Sequence, residues 1–188
     1  MEEIGEVKFQ KKSGISKLGK CIVWYSQGKI TYTIGPDWMF NLCLLSIIIS
    51  AMIFNVLVMA PMVDPTMQFI GFSAITWVLM SYLMTALKNP GIVVNDTQEE
   101  IELGKAENKS FCRVCHVMTA KGTEHCEDCG LCCEGYDHHC PLSGKCIGKG
   151  NIIWFYLFLA SILGFFVYFM VWAFMAAKLQ FERTARNN

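Results

Sequence analysis

FCRVCHVMTAKGTEHCEDCGLCCEGYDHHCPLSGKCIGKGN, residues 111–151, is the stretch on which the reading of the chain turns. It holds eight of the ten cysteines. Cys112-x-x-Cys115 and Cys126-x-x-Cys129 have the paired spacing that lets two thiolates grip one zinc ion. His125, Cys132, Cys133, His138, His139, Cys140 and Cys146 are further potential ligands. A segment this short has little apolar core, so metal coordination would supply much of its folding free energy. Two tetrahedral sites would leave at least one thiol and one imidazole unused. The best candidates for that free pair lie in Asp137-His138-His139-Cys140. A thiolate is the nucleophile, a neighbouring imidazole can take its proton, and a carboxylate can orient the ring. Cys140, His138 and Asp137 offer those three roles. On the residues alone, catalysis and a purely structural zinc module both stay open.

Outward from this stretch the chain is apolar. Over half of its residues (53%) are hydrophobic, and they collect in long runs. Crossing the hydrocarbon core takes about 20 mostly apolar residues. Three charge-free segments reach that length: Trp38–Ala60, Met67–Leu87 and Ile152–Ala177. Three such runs in 188 residues exclude a water-soluble globule. The fold class expected is an all-α integral membrane protein with three transmembrane helices and a small, zinc-stabilised, loop-rich cysteine module. The expected segments are an N-terminal arm (1–37), spans at 38–60 and 67–87, a linker (88–109), the cysteine-rich module (110–151), a third span (152–177) and a tail (178–188). The arm's CIVWYSQGKITYTIGPDW stretch suggests a short hairpin on the membrane surface, with Gly35-Pro36 as a break before the first span. The acidic run Glu99–Glu102 reads as solvated linker.

Net charge is zero, and no nucleic-acid partner is expected. The placement of the cations is more informative, because short cytoplasmic loops collect Lys and Arg. Lys8, Lys11, Lys12, Lys17, Lys20 and Lys29 precede the first span, whereas the turn from Pro61 to Thr66 has none. Lys88, Lys105, Lys109, Arg113, Lys121, Lys145 and Lys149 precede the third. The arm and the module are therefore expected in the cytosol, with Lys178, Arg183 and Arg186 running slightly against the rule. Reduced cytosolic thiols favour metal binding over a disulfide framework. The opening stretch is polar, so the first span is expected to act as the targeting signal.

The module resembles the cysteine-rich domain of the DHHC protein S-acyltransferases, whose pattern is C-x2-C-x9-HC-x2-C-x2-C-x4-DHHC-x5-C-x4-N-x3-F. Every fixed position is met, from Cys112 through Asn151 to Phe155. Two spans before the module and one after it are similar to the family's layout. Asn89-Pro90-Gly91 resembles its Asp-Pro-Gly motif, and Gly28-Lys29 and Gly35-Pro36-Asp37 resemble the arm of some members. The resemblance implies two interleaved structural Zn2+ sites, Cys112/Cys115/His125/Cys132 and Cys126/Cys129/His139/Cys146. It leaves Cys140, His138 and Asp137 for catalysis. It implies a protein S-acyltransferase that takes palmitoyl-CoA as co-substrate and passes the acyl group through Cys140 to cysteines of membrane-associated proteins. Its expected setting is the bilayer of an endomembrane (Golgi or ER) or the plasma membrane. Cys140 would then lie at the bilayer edge with the acyl chain among the helices, where burial is worth roughly 0.8 kcal/mol per CH2. A non-catalytic zinc-binding scaffold, or a partner subunit of such an enzyme, is the alternative. The cross-brace spacing of a RING-type ubiquitin ligase is not met.

Four departures from the family pattern stand out. Leu142 replaces a usual tryptophan, and Lys145 a usual asparagine. Thr119-Ala120-Lys121-Gly122 replaces a basic stretch, leaving Lys121, Arg113, Lys145 and Lys149 as substitutes for holding CoA phosphates. The fourth helix and the Thr-Thr-x-Glu motif before it are not met. A truncated product, or a shortened member that pairs with a like or unlike chain in a homo- or hetero-oligomer, would each account for that. Outside the pattern, Cys133 reads as a bystander, His116 as solvated, Cys21 as a surface thiol and Cys43 as a packing residue. Asn151 and Phe155 read as capping and packing at the top of the third span. Asn55, Gln68, Ser73, Thr76 and Ser81 are expected to face other helices.

Overall fold

The computed structural model describes residues 13–94, 101–104 and 109–187. Lys8, Lys11, Lys12, Glu99 and Lys105 lie outside the described residues. The chain forms two compact units, Met1–Trp38 with Ala86–Ile152 and Met39–Thr85 with Ile153–Asn188.

The second unit is helical. Helix α1 (Trp38–Phe54) continues as a π-helical turn, Asn55–Met59, and a 3-10 turn, Ala60–Met62. Helix α2 covers Pro65–Leu87 and α3 covers Ile152–Asn187, running on through the expected tail. Asp64 starts α2: its Oδ1 accepts the Thr66 and Met67 N–H groups at 2.9 and 3.3 Å. Pro65 then takes the first helical position, where its missing N–H costs nothing. At the end of the first helix Trp172 Nε1 donates to the Met59 carbonyl at 3.2 Å, satisfying one acceptor of a helix terminus. Polar side chains also join the helices. Ser81 and Ser161 hydroxyls meet at 3.1 Å, and Tyr82 donates to the Asn41 carbonyl at 3.0 Å. Tyr168 donates to the Met67 carbonyl and passes over Gly71, where a Cβ would overlap its hydroxyl. Asn55 is buried as expected; Ser73 is exposed instead, as is Cys43.

All three helices are long and apolar enough to cross a membrane. Only 11% of the most apolar window of α3 is buried, and Phe69, Leu163 and Phe174 project outward. Such a surface needs a hydrocarbon solvent. The protein is a membrane protein.

The first unit corrects the all-α, loop-rich expectation, because nine strands lie among its described residues. Strands β1 (Gly14–Leu18), β2 (Cys21–Ser26) and β3 (Lys29–Ile34) form an antiparallel meander. Gln27 and Gly28 join β2 to β3 with φ of 50° and 75°, the double left-handed turn that matches strand twist. Cys21 and Val23 are buried while Ile22 between them is exposed, the alternation of a one-faced sheet. The cysteine-rich segment folds as three antiparallel hairpins: β4 (Ser110–Cys112) with β5 (Val117–Thr119), β6 (Glu124–Cys126) with β7 (Leu131–Cys133), and β8 (His138–Cys140) with β9 (Lys145–Ile147). Sequence periodicity misses strands of three residues, which are too short to display it.

Candidate active site and metal centres

Each of the first two hairpins turns through a Cys-x-x-Cys knuckle. Cys112 ends β4 and Cys115 lies in its turn; Cys126 ends β6 and Cys129 lies in its turn. In both, the second cysteine's N–H donates back to the first sulfur, at 3.5 and 3.4 Å. The residue after each knuckle is left-handed: His116 at φ 54° and Gly130 at φ 67°. His116 is exposed and fills a turn position that favours glycine.

Strand register supplies the remaining donors. His125 lies opposite Cys132 on β6 and β7, and His139 lies opposite Cys146 on β8 and β9. Each pair meets the knuckle of the preceding hairpin. Cys112, Cys115, His125 and Cys132 form one cluster and Cys126, Cys129, His139 and Cys146 another, with all donor atoms of a cluster within 4.8 Å of one another. These are the two sets that the family pattern implied. The interleaving thus has a simple physical form, with two clusters tying three hairpins in series.

The donor sets fit zinc. A sulfur and a nitrogen ligand at tetrahedral angles around zinc lie about 3.5 Å apart. The sulfurs of Cys112, Cys115 and Cys132 lie 3.8, 3.1 and 3.9 Å from His125 Nδ1, and those of Cys126, Cys129 and Cys146 lie 3.4, 3.4 and 3.9 Å from His139 Nδ1. Three sulfurs and one imidazole suit zinc better than hard cations, which prefer oxygen. Hydrogen bonds accepted from Cys146 and Cys21 lower the pKa of Cys129, as suits a ligand thiolate.

On a strand successive side chains alternate, so with His139 directed into the second cluster, His138 and Cys140 point away from it. His138 Nδ1 contacts Asp137 Oδ2 at 2.7 Å, and both side chains are about two-fifths exposed. Cys140 is half-buried and lies outside both clusters. The strand runs into a 3-10 turn, Pro141–Ser143, and Gly144 at φ 73° returns the chain to β9. Leu142, at the usual tryptophan position, is exposed.

Residues 105–186 match the family model for the DHHC palmitoyltransferase domain. The match takes in the cysteine-rich hairpins and α3, so this part of the chain is similar to a DHHC palmitoyltransferase domain. Over 92 residues it is 32% identical to human palmitoyltransferase ZDHHC14, a match covering 49% of this chain and 19% of that protein. Over 120 residues it is 30% identical to zebrafish (Danio rerio) palmitoyltransferase ZDHHC18-B, covering 50% and 31%. A probable protein S-acyltransferase 7 of Arabidopsis thaliana is 23% identical over 201 residues, covering 86% of this chain and 44% of that protein. The matched segments thus span about a fifth to under half of these relatives' lengths.

Several side chains depart from their sequence reading. Lys145, expected as a substitute for holding phosphate, is 1% exposed. Its Nζ donates to the Thr33 carbonyl, the Thr33 hydroxyl and the Lys88 carbonyl at 2.8, 2.6 and 2.7 Å. Burial pushes its pKa down to about 7, against neighbouring cysteines that push it up. Lys149 pairs with Glu134 at 2.6 Å and stays exposed, as do Arg113 and Lys121, so Lys145 is the buried member of the substitute set. Cys21 is buried against Cys129 rather than at the surface, and its hydrogen bond to that sulfur raises its own pKa. Burial also pushes Cys133 up to about 12, as suits a bystander. Asn151 is fully buried and turns back to the loop after β9, accepting from Gly148 N and donating to the Cys146 carbonyl at 2.9 and 3.2 Å. Asn89 accepts the Gly91 and Ile92 N–H groups on Oδ1, each at 3.0 Å, and donates Nδ2 to the Ile30 carbonyl at 3.1 Å. Its amide thereby joins the motif after α2 to β3.

Proposed function

We propose that the protein is a protein S-acyltransferase that carries a long acyl group, palmitoyl in the first instance, from acyl-CoA to cysteine thiols of membrane-associated proteins. The observation that carries the reading is the 2.7 Å Asp137–His138 pair, which, like Cys140 two residues further along, lies outside both donor clusters. The relatives' names, palmitoyltransferase and S-acyltransferase, support the same chemistry. Arm and module face the cytosol in this reading, by the placement of Lys and Arg, which gives them access to acyl-CoA.

With Nδ1–H donated to Asp137, the other ring nitrogen of His138 is a base. It takes the Cys140 proton, and the thiolate adds to the thioester carbonyl of acyl-CoA. The carbon–sulfur bond to CoA breaks, CoA leaves with the proton returned by His138, and the acyl group stays on Cys140. In the second half-reaction an acceptor thiol gives its proton to His138 and attacks the Cys140 thioester. Cys140 departs and is reprotonated. Asp137 stabilises the imidazolium formed in each half. Zinc, held by Cys112, Cys115, His125 and Cys132 and by Cys126, Cys129, His139 and Cys146, would supply fold and not reactivity.

His138→Ala should slow single-turnover acylation by palmitoyl-CoA about 10²–10⁴-fold, the usual worth of a positioned base. Asp137→Asn should fall between it and wild type, and zinc content should stay unchanged in both. An unchanged acylation rate in His138→Ala, or loss of zinc from it, would contradict these roles.

A further inference from the structure

The second metal cluster is walled by the N-terminal sheet as well as by the cysteine-rich hairpins. The Lys20 N–H donates to the Cys129 carbonyl at 2.9 Å, and Lys20 Nζ to the Glu127 carbonyl at 3.1 Å. Cys21 packs against the Cys129 sulfur. Gly35 lies so close to Gly144 that a Cβ would overlap its carbonyl oxygen, and the Asp37 N–H reaches that same carbonyl at 3.3 Å. Asp37 is thereby held against the β8–β9 hairpin, where its Oδ2 lies 2.8 Å from His139 Nε2. The His139 side chain is 9% exposed and its Nδ1 faces the Cys126 and Cys129 sulfurs, each at 3.4 Å.

We propose that Asp37 is a positioning residue for the second metal centre. Its carboxylate accepts the Nε2–H of His139 and so fixes the tautomer and plane in which Nδ1 is the free, basic ligand. A carboxylate on the far nitrogen of a ligating histidine raises its basicity and removes its rotational freedom. Through His139 the same contact sets the direction of β8, and with it the face on which His138 and Cys140 stand. The segment just before α1 therefore belongs to the metal site, 102 residues away in sequence. His125, the corresponding ligand of the first cluster, has no such carboxylate among the described residues. The first centre is thus an internal control.

The proposal rests on metal occupying both clusters and not on acyl transfer, so its test needs no acyl-CoA. In the purified full chain, substituted with 113Cd, two cadmium resonances are expected from wild type. Asp37→Asn keeps shape and removes charge; it should move the resonance of the second centre and leave the first in place. In the zinc form, release to a chromogenic chelator should become biphasic. One zinc per chain should leave about 10–100-fold faster in Asp37→Ala, with Asp37→Asn between the two and Asp37→Glu partly restored. Nitrogen-15 correlation spectra should report His139 as the Nε2–H tautomer in wild type. Unchanged resonances and release in a folded Asp37→Asn would overturn the proposal. Equal weakening of both centres would also overturn it, since that describes general loosening. Failure of wild type to bind the second metal would remove its premise.

Discussion

Replacing Cys126 by serine should empty the second metal centre and unfold the cysteine-rich hairpins while leaving the three long helices formed. Cys126 ends β6, is 3% exposed, and offers its sulfur to a cluster whose other donors come from the knuckle turn and the next hairpin. Structural zinc contributes about 10–16 kcal/mol to the folding of small metal domains. That matches or exceeds the roughly 5–15 kcal/mol by which a whole domain is stable. Strands of three residues cannot replace it, because so few ladder hydrogen bonds do not sustain an isolated hairpin. Metal analysis should find at most one zinc per chain in Cys126→Ser. Limited proteolysis should cut within residues 110–151, with helical circular dichroism largely retained. Two zinc ions per chain and a protease-resistant module would refute the ligand assignment.

Lys145→Met should give the next largest loss. The ammonium places its three protons on Thr33 and Lys88 acceptors, joining β9 to β3 and to the end of α2. Methionine fits the channel but donates nothing, so the two carbonyls and one hydroxyl stay dry and unsatisfied. At about 1–3 kcal/mol for each buried group left without a partner, partly relieved by local rearrangement, the cost should be about 2–4 kcal/mol. The urea midpoint of the strand-rich unit should fall correspondingly, with zinc still bound at low denaturant. A change under about 0.5 kcal/mol would mean the clamp adds nothing net, as some buried charges do.

The parts of this molecule that were legible in the sequence are those whose signal is local. A run such as Trp38–Ala60 has no charge to interrupt it, and a Cys-x-x-Cys pair carries its own knuckle geometry. The hairpin at Gln27-Gly28 was legible for the same reason, since β-branched and aromatic residues flank a glycine turn. The rest depends on long-range contact. Lys145 reads as a surface cation until three acceptors from residues 33 and 88 are brought around it. Cys21 reads as a surface thiol until β2 packs on Cys129. Asp37 looked like part of a turn before a membrane helix, and its contact with His139 spans 102 positions. The all-α expectation failed for a related reason. Strands of three residues show no alternation, and their register is set by metal donors that must face one another.

The most direct test of the account is the chemical nature of the acyl group on the purified, zinc-loaded protein after mixing with labelled palmitoyl-CoA. Label on Cys140, released by neutral hydroxylamine and missing from a folded Cys140→Ser variant that keeps its zinc, is the predicted result. Absence of label from folded wild type, or label that persists in Cys140→Ser, would contradict it.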